Sequence, residues 1–141
     1  MLDFDAAFGN AVLYYEDTGA NLGGAGGFNY GMRRACELGY DYAWIMDDDA
    51  FANRTTLSAL MEADKILGGP AHYGYLASAV LWTDGKECVM NRHRLGGRYY
   101  EDVDLLQHTI IAVEASTFVS LLLPTQTIKT VGLPIKEYFI W

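Results

Sequence analysis

Residues 40–46, YDYAWIM, are apolar without alternation, the pattern of a strand buried on both faces rather than on one. A sheet holding such a strand must be covered from both sides, which confines the chain to a layered arrangement of helices and strands. The neighbouring segments fit that frame. NAVLYYED, residues 10–17, is apolar and aromatic enough for a strand. GFNYGMRRACELG follows, with Phe28, Met32, Ala35 and Leu38 at helical spacing and Gly39 as C-cap. After 40–46, Asn53 is placed to cap a helix RTTLSALMEADKILGG, in which Leu57, Leu60, Met61, Asp64 and Ile66 mix core and surface positions and Gly68 and Gly69 mark the end. YGYLASAVLW, 73–82, is a third strand closed by the turn TDGK. The glycine-rich stretch 86–104 reads as loop with at most one short strand. TIIAVEASTFVSLLLP holds one or two more strands, and TQTIKTVGL a short helix. The expected fold is α/β with a mainly parallel sheet and flanking helices. Ligands of such sheets bind outside the carboxyl ends of the strands.

Length and charge narrow the function. A chain of 141 residues suits a single domain. A net charge of −8 argues against nucleic acid as partner, because phosphate backbones are held by clustered Lys and Arg. Cys36 and Cys88 lie far apart and form no CxxC pair, so they read as reduced packing residues. The longest apolar runs fall short of the ~20 residues that cross a bilayer, and MLDFDAAFG lacks a basic leader region. The expected location is cytoplasmic or peripheral at the inner face of the membrane.

Two motifs carry chemistry. The glycines of NLGGAGGFNYG leave the first strand and open the first helix, where absent Cβ atoms and a helix amino end favour an anionic ligand against the backbone. The spacing matches neither known phosphate loop: the residue three after Gly26 is Asn29 where GxGxxG needs glycine, and Met32 follows Gly31 where GxxxxGK[ST] needs lysine. The second motif, Asp47, Asp48 and Asp49, ends an apolar run with adjacent charges. Two carboxylates ~4 Å apart repel by ~1 kcal/mol in water and ~4 kcal/mol near a protein surface, so compensation is expected. Strand alternation would turn Asp47 and Asp49 to one face and Asp48 to the other. Such a D-x-D pair suits Mg²⁺ or Mn²⁺, which keep positions open for waters and phosphates. An EF-hand fails, because its twelfth position is Ser58, and a D-x-D-x-T phosphatase pattern fails at Phe51. The plainer alternatives are a flexible turn at the glycines and a solvated acidic approach to the next helix at the aspartates.

NLGGAGGFNYGM followed by YDYAWIMDDDAF resembles the family 2 glycosyltransferases of the GT-A fold, which is Rossmann-like, and within them the galactofuranosyltransferase and rhamnosyltransferase-like branch. TFVSLLLPTQTIKTVGLPIKEYFIW resembles the same branch. The resemblance implies transfer of a sugar, with inversion, from a nucleotide-diphosphate donor, UDP- or dTDP-linked, to a glycan or lipid-linked acceptor. Carried over on matching positions, Asp49 and Asp47 bind the metal. Asn21, Gly23, Gly24, Asp47 and Asp48 contact the donor, and Trp141 stacks on a sugar. The family's early nucleotide-cradling strands and its acidic pair with the general base have no counterpart, so residues 1–141 are expected to be a partial catalytic domain, incomplete at both ends. Asp102, Asp104, Glu114, Glu137, His72, His93 and His108 are the titratable candidates for a base, and no spacing singles one out. Two other classes remain open: a Mg²⁺-dependent phosphoryl-transfer enzyme using the same aspartates, and a noncatalytic module that self-associates as a homo-oligomer through an open sheet edge.

Overall fold

The computed structural model describes residues 12–97 and 100–140. Helix α1 spans Gly23–Glu37. It begins earlier than the spacing predicts, so Gly23, Gly24, Gly26 and Gly27 lie in its first turns rather than in a loop before it. Each helical glycine costs about 1 kcal/mol relative to alanine, so packing, not propensity, holds this segment. Met32 and Ala25 are buried along one stripe, and Phe28, Ala35 and Cys36 pack beside Met32. The helix stops where Gly39 takes φ +77° and the Tyr40 N–H donates to the Ala35 carbonyl at 3.2 Å.

Strand β1, Tyr42–Ile45, follows and packs on α1. Helix α2, Thr56–Ile66, starts just after Asn53, whose Oδ1 accepts the Thr55 N–H at 3.0 Å and the Thr56 hydroxyl at 2.9 Å. Asn53 thus shapes the turn before the helix rather than capping its first residue. Strand β2 is short, Leu76–Ala77, and the turn through TDGK closes with Trp82 N–H donating to the Lys86 carbonyl at 2.7 Å. Strands β3, Arg94–Leu95, and β4, Val113–Ala115, form a separate two-stranded ladder. Strand β5, Leu121–Pro124, leads directly into helix α3, Thr125–Val131.

The main sheet has the order β1-β5-β2. All residues of β5 are buried, because alternate side chains feed two cores. Leu121 and Leu123 join Ala43, Met32 and Ile128 on the side of α1 and α3. Leu122 joins Leu60 and Leu76, with Tyr42 and Trp44, on the side of α2. The layers are therefore helix, sheet, helix, as the apolar runs demand.

Strand direction departs from the expectation of a mainly parallel sheet: every ladder among the described residues is antiparallel. β5 returns between β1 and β2, pairing Ile45 with Leu121 on one side and Leu76 with Leu122 on the other. Two-sided burial explains an unbroken apolar run equally well in either direction. β1 and β2 still run the same way, since both oppose β5. The expected strand 10–17 is also absent where it can be examined: residues 12–17 carry no regular structure, and 10–11 lie outside the described residues. Val12, Leu13, Tyr14 and Tyr15 are exposed there, while Glu16 accepts from Arg34 Nη2 at 2.7 Å and from the Tyr30 hydroxyl at 2.6 Å. No helix of the described residues is long and apolar enough to cross a membrane.

Candidate functional site at the carboxyl end of the first strand

The aspartate run leaves β1 after Ile45 and turns at once, with the Ala50 N–H donating to the Asp47 carbonyl at 3.2 Å. Strand alternation therefore does not reach Asp49, and a turn rather than a pleat sets how these carboxylates meet. Asp47 is half-buried, whereas Asp48 and Asp49 are exposed. Burial pushes the Asp47 carboxyl above the ordinary carboxylate range, and the charges of Asp49 and then Asp48 push it the same way. None of the three side chains makes an ion pair or hydrogen bond among the described residues. This is an uncompensated negative centre open to solvent, and a divalent cation would answer the charge. Oxygen-only ligands suit Mg²⁺ or Mn²⁺. Among the described residues, however, no group of three or more His, Cys, Asp or Glu side chains is placed to hold a metal by itself. A cation here would draw its remaining ligands from water or from a bound phosphate.

The glycine motif is used differently from the sequence expectation. Four residues join α1 to β1, and the two pack together, so they run antiparallel and the amino end of α1 faces the same end of the sheet as Asp47. That helix end is occupied by the chain itself. The Ala25 N–H donates to the Phe139 carbonyl at 3.0 Å. Gly23 has φ +65°, and a Cβ there would overlap the Phe139 carbonyl, with Phe139 Cγ only 2.8 Å away. A Cβ on Gly24 would stand 3.6 Å from the Ile140 carbonyl. Gly23 is thus explained by a close backbone approach of residues 139–140. Asn21 Oδ1 accepts the Gly23 N–H at 2.9 Å, shaping the turn into α1. No hydrogen bond links Asn21 to the aspartates, although they share one end of the layer.

A groove of about 730 Å³ lies between α1 and the segment around the 3₁₀ turn Lys136–Tyr138; Asn21 lines it and the aspartates do not. Trp141 lies outside the described residues. Among the candidate bases, both ring nitrogens of His93 are engaged, Nε2 at 3.1 Å from the Ser78 carbonyl and Nδ1 at 2.8 Å from Ser116 Oγ. A carbonyl can only accept, so Nε2 carries a proton. The same network joins Ser78 Oγ to Ser120 Oγ at 2.7 Å and Trp44 Nε1 to Ser120 Oγ at 3.1 Å. His93 therefore braces the chain beside the carboxyl end of β1 rather than presenting a free nitrogen. Glu114 pairs with Arg94 at 3.2 Å, and Glu137 lines the groove.

Sequence reasoning missed a second polar centre. Asp64, on the buried face of α2, accepts from the Tyr73 hydroxyl at 2.6 Å and the Tyr42 hydroxyl at 3.1 Å. Burial and then the Asp64 hydrogen bond push the Tyr73 hydroxyl well above the ordinary tyrosine range. The signal available was an aspartate at core spacing within Leu57, Leu60, Met61 and Asp64.

Short stretches of the chain are similar to glycosyltransferases. Those relatives are galactofuranosyltransferases GlfT1: that of Mycolicibacterium smegmatis is 50% identical over 48 residues, which is 33% of this chain and 16% of the relative. That of Mycobacterium tuberculosis is 43% identical over 49 residues, 35% of this chain and 16% of the relative. The similarity supports a transferase at that coarse level. No family model matches, and no solved structure matches significantly.

Proposed function

We propose that the chain is part of a metal-dependent glycosyltransferase catalytic domain of GT-A type, transferring a sugar with inversion from a nucleotide-diphosphate donor to a glycan or lipid-linked acceptor. The observation that carries this is the uncompensated aspartate turn at the carboxyl end of β1. The local similarity to galactofuranosyltransferases points the same way. β1 and β2 end on one side of the sheet, which is where ligands of layered α/β folds bind. Asp47 and Asp49 would hold Mg²⁺ or Mn²⁺, and Asp48 the donor. The cation would offset the charge that develops on the leaving diphosphate. Asp47, half-buried at the turn, would be one of the carboxylates that hold the cation. The Trp44–Ser120–Ser78–His93 network fixes the strand end beneath it. Asn21, whose Nδ2 makes no hydrogen bond among the described residues, would approach the donor from the amino end of α1, while Gly23 and Gly24, against residues 139–140, would shape that end, and Trp141 would meet the sugar. A cytoplasmic location, at or near the inner face of a membrane, accords with a nucleotide-sugar donor. The outer edge of β1, unpaired among the described residues, would take a further strand or a second copy of the chain.

The test is calorimetric titration of a UDP-hexose into the chain with Mn²⁺ and with EDTA. Binding in Mn²⁺ alone, lost in Asp49→Asn, is expected. Equal binding in EDTA, or none in either, would remove the donor site.

A further inference from the structure

The segment that faces the amino end of α1 is held there against its own strain. Residues 135–140 are all exposed, so the segment buries little apolar surface. Two hydrogen bonds tie it to α1: Asn29 Nδ2 donates to the Pro134 carbonyl at 2.7 Å, and the Ala25 N–H donates to the Phe139 carbonyl at 3.0 Å. Ala25 stands in the first turn of α1, where an N–H has no partner within the helix. The Phe139 carbonyl supplies the missing acceptor.

To reach Ala25 the chain adopts a conformation that side chains avoid. Phe139 has φ +64° and ψ −56°, and the Ile140 N–H donates back to the Tyr138 carbonyl at 2.7 Å. Those angles and that bond make a γ-turn of the positive-φ form, which is rare and strained. On the other side Gly23, itself at φ +65°, leaves the room that any Cβ would take from the Phe139 carbonyl. Strain of this kind persists only where the surroundings hold it, and here the amino end of α1 and the Asn29 tie do so. An element with little burial and a strained turn opens locally, while the two cores stay intact.

We infer that residues 134–140 form a strap with two positions: closed, as described above, and open, with the γ-turn relaxed and the Ala25 N–H released. Closed, the strap takes up the helix end that the donor would approach and walls the groove that Asn21 lines, so it competes with the donor. The competition rests on the glycosyltransferase reading; the strap itself rests on the geometry of the segment. A competing strap lowers the apparent affinity by the fraction of molecules that are open. Whatever opens it must therefore raise the affinity by the same factor.

The test follows amide hydrogen exchange and the binding of UDP with Mn²⁺ in the whole chain and in two variants of it. Asn29→Ala cuts one tie, and Phe139→Pro forbids the positive φ without touching α1. Exchange at Ala25 should speed up about two- to tenfold in Asn29→Ala, the worth of one hydrogen bond, and at least as much in Phe139→Pro, with the β5 amides unchanged in both. UDP affinity should rise by the factor by which Ala25 exchange rises. An unchanged Ala25 rate in both variants, or β5 protection lost together with that of Ala25, would overturn the strap. Faster exchange with unchanged UDP affinity in Phe139→Pro would overturn its competition with the donor. Faster exchange at Ala25 alone, with no UDP binding in any of the three proteins, would uphold the strap and remove the donor reading instead.

Discussion

Gly23 and Gly27 stand in the same glycine motif, and the structure assigns them opposite effects on replacement by alanine. At Gly23, φ is +65° and an added Cβ would meet the Phe139 backbone. The left-handed conformation costs a non-glycine residue about 1–2 kcal/mol. Relieving the overlap means breaking the Ala25 to Phe139 hydrogen bond, worth about 0.5–1.5 kcal/mol. Gly23→Ala should therefore destabilise by about 1.5–3.5 kcal/mol, the sum of those two contributions. At Gly27 nothing lies within 4 Å of the added Cβ, and the residue is inside α1. Gly27→Ala should stabilise by about 0.5–1 kcal/mol through helix propensity. Urea unfolding of both variants, followed by circular dichroism, measures the two signs, and hydrogen exchange of the Ala25 amide reports whether Phe139 has let go. Shifts of the same sign in the two variants, or an Ala25 amide equally protected in Gly23→Ala, would refute the reasoning.

Other outcomes follow from the cores and the charges. Leu122 is 2% exposed between α2 and the sheet, so Leu122→Ala should cost about 3 kcal/mol in urea unfolding. Asp64→Ala should cost about 2–3 kcal/mol by stranding the Tyr73 and Tyr42 hydroxyls, and Tyr73→Phe about 1 kcal/mol; Asp64→Asn, which keeps an acceptor, should fall below Asp64→Ala. Because Asp47 has a raised pKa in the folded chain, its contribution to stability is fully present below the ordinary carboxylate range and is lost as pH rises through the folded value. Asp47→Asn should flatten that fall in metal-free buffer, measured as Tm against pH, while an unchanged profile would place the strain elsewhere.

The punctuation of the chain was legible: Gly39, Gly68 and Gly69 end helices with positive φ, and α3 follows Pro124 as its composition suggests. Strand direction was not legible, because an apolar run buried on both faces reports cover and says nothing of its neighbour's orientation. β5 pairs with strands far earlier in the sequence, and no local pattern encodes that return. The glycine stretch reads as loop by propensity, yet the approach of Phe139 makes it the start of α1. Period-two alternation has no strand to act on past Ile45, where a turn takes over, yet the charge of Asp49 still presses on Asp47 more than that of Asp48 does. What survived is the location of the charge: the apolar run stops at the edge of the sheet, leaving Asp48 and Asp49 exposed and Asp47 half-buried.

Whether those aspartates bind a metal is tested most directly by titrating Mn²⁺ into the ¹⁵N-labelled chain and following paramagnetic broadening of the amides. Broadening should begin at Met46 to Ala50, deepen when UDP is added, and vanish in Asp47→Asn/Asp49→Asn. Broadening that starts at Glu16, at Glu137 or at Asp102 and Asp104, or that survives the double substitution, would contradict a metal-dependent donor site at the end of β1.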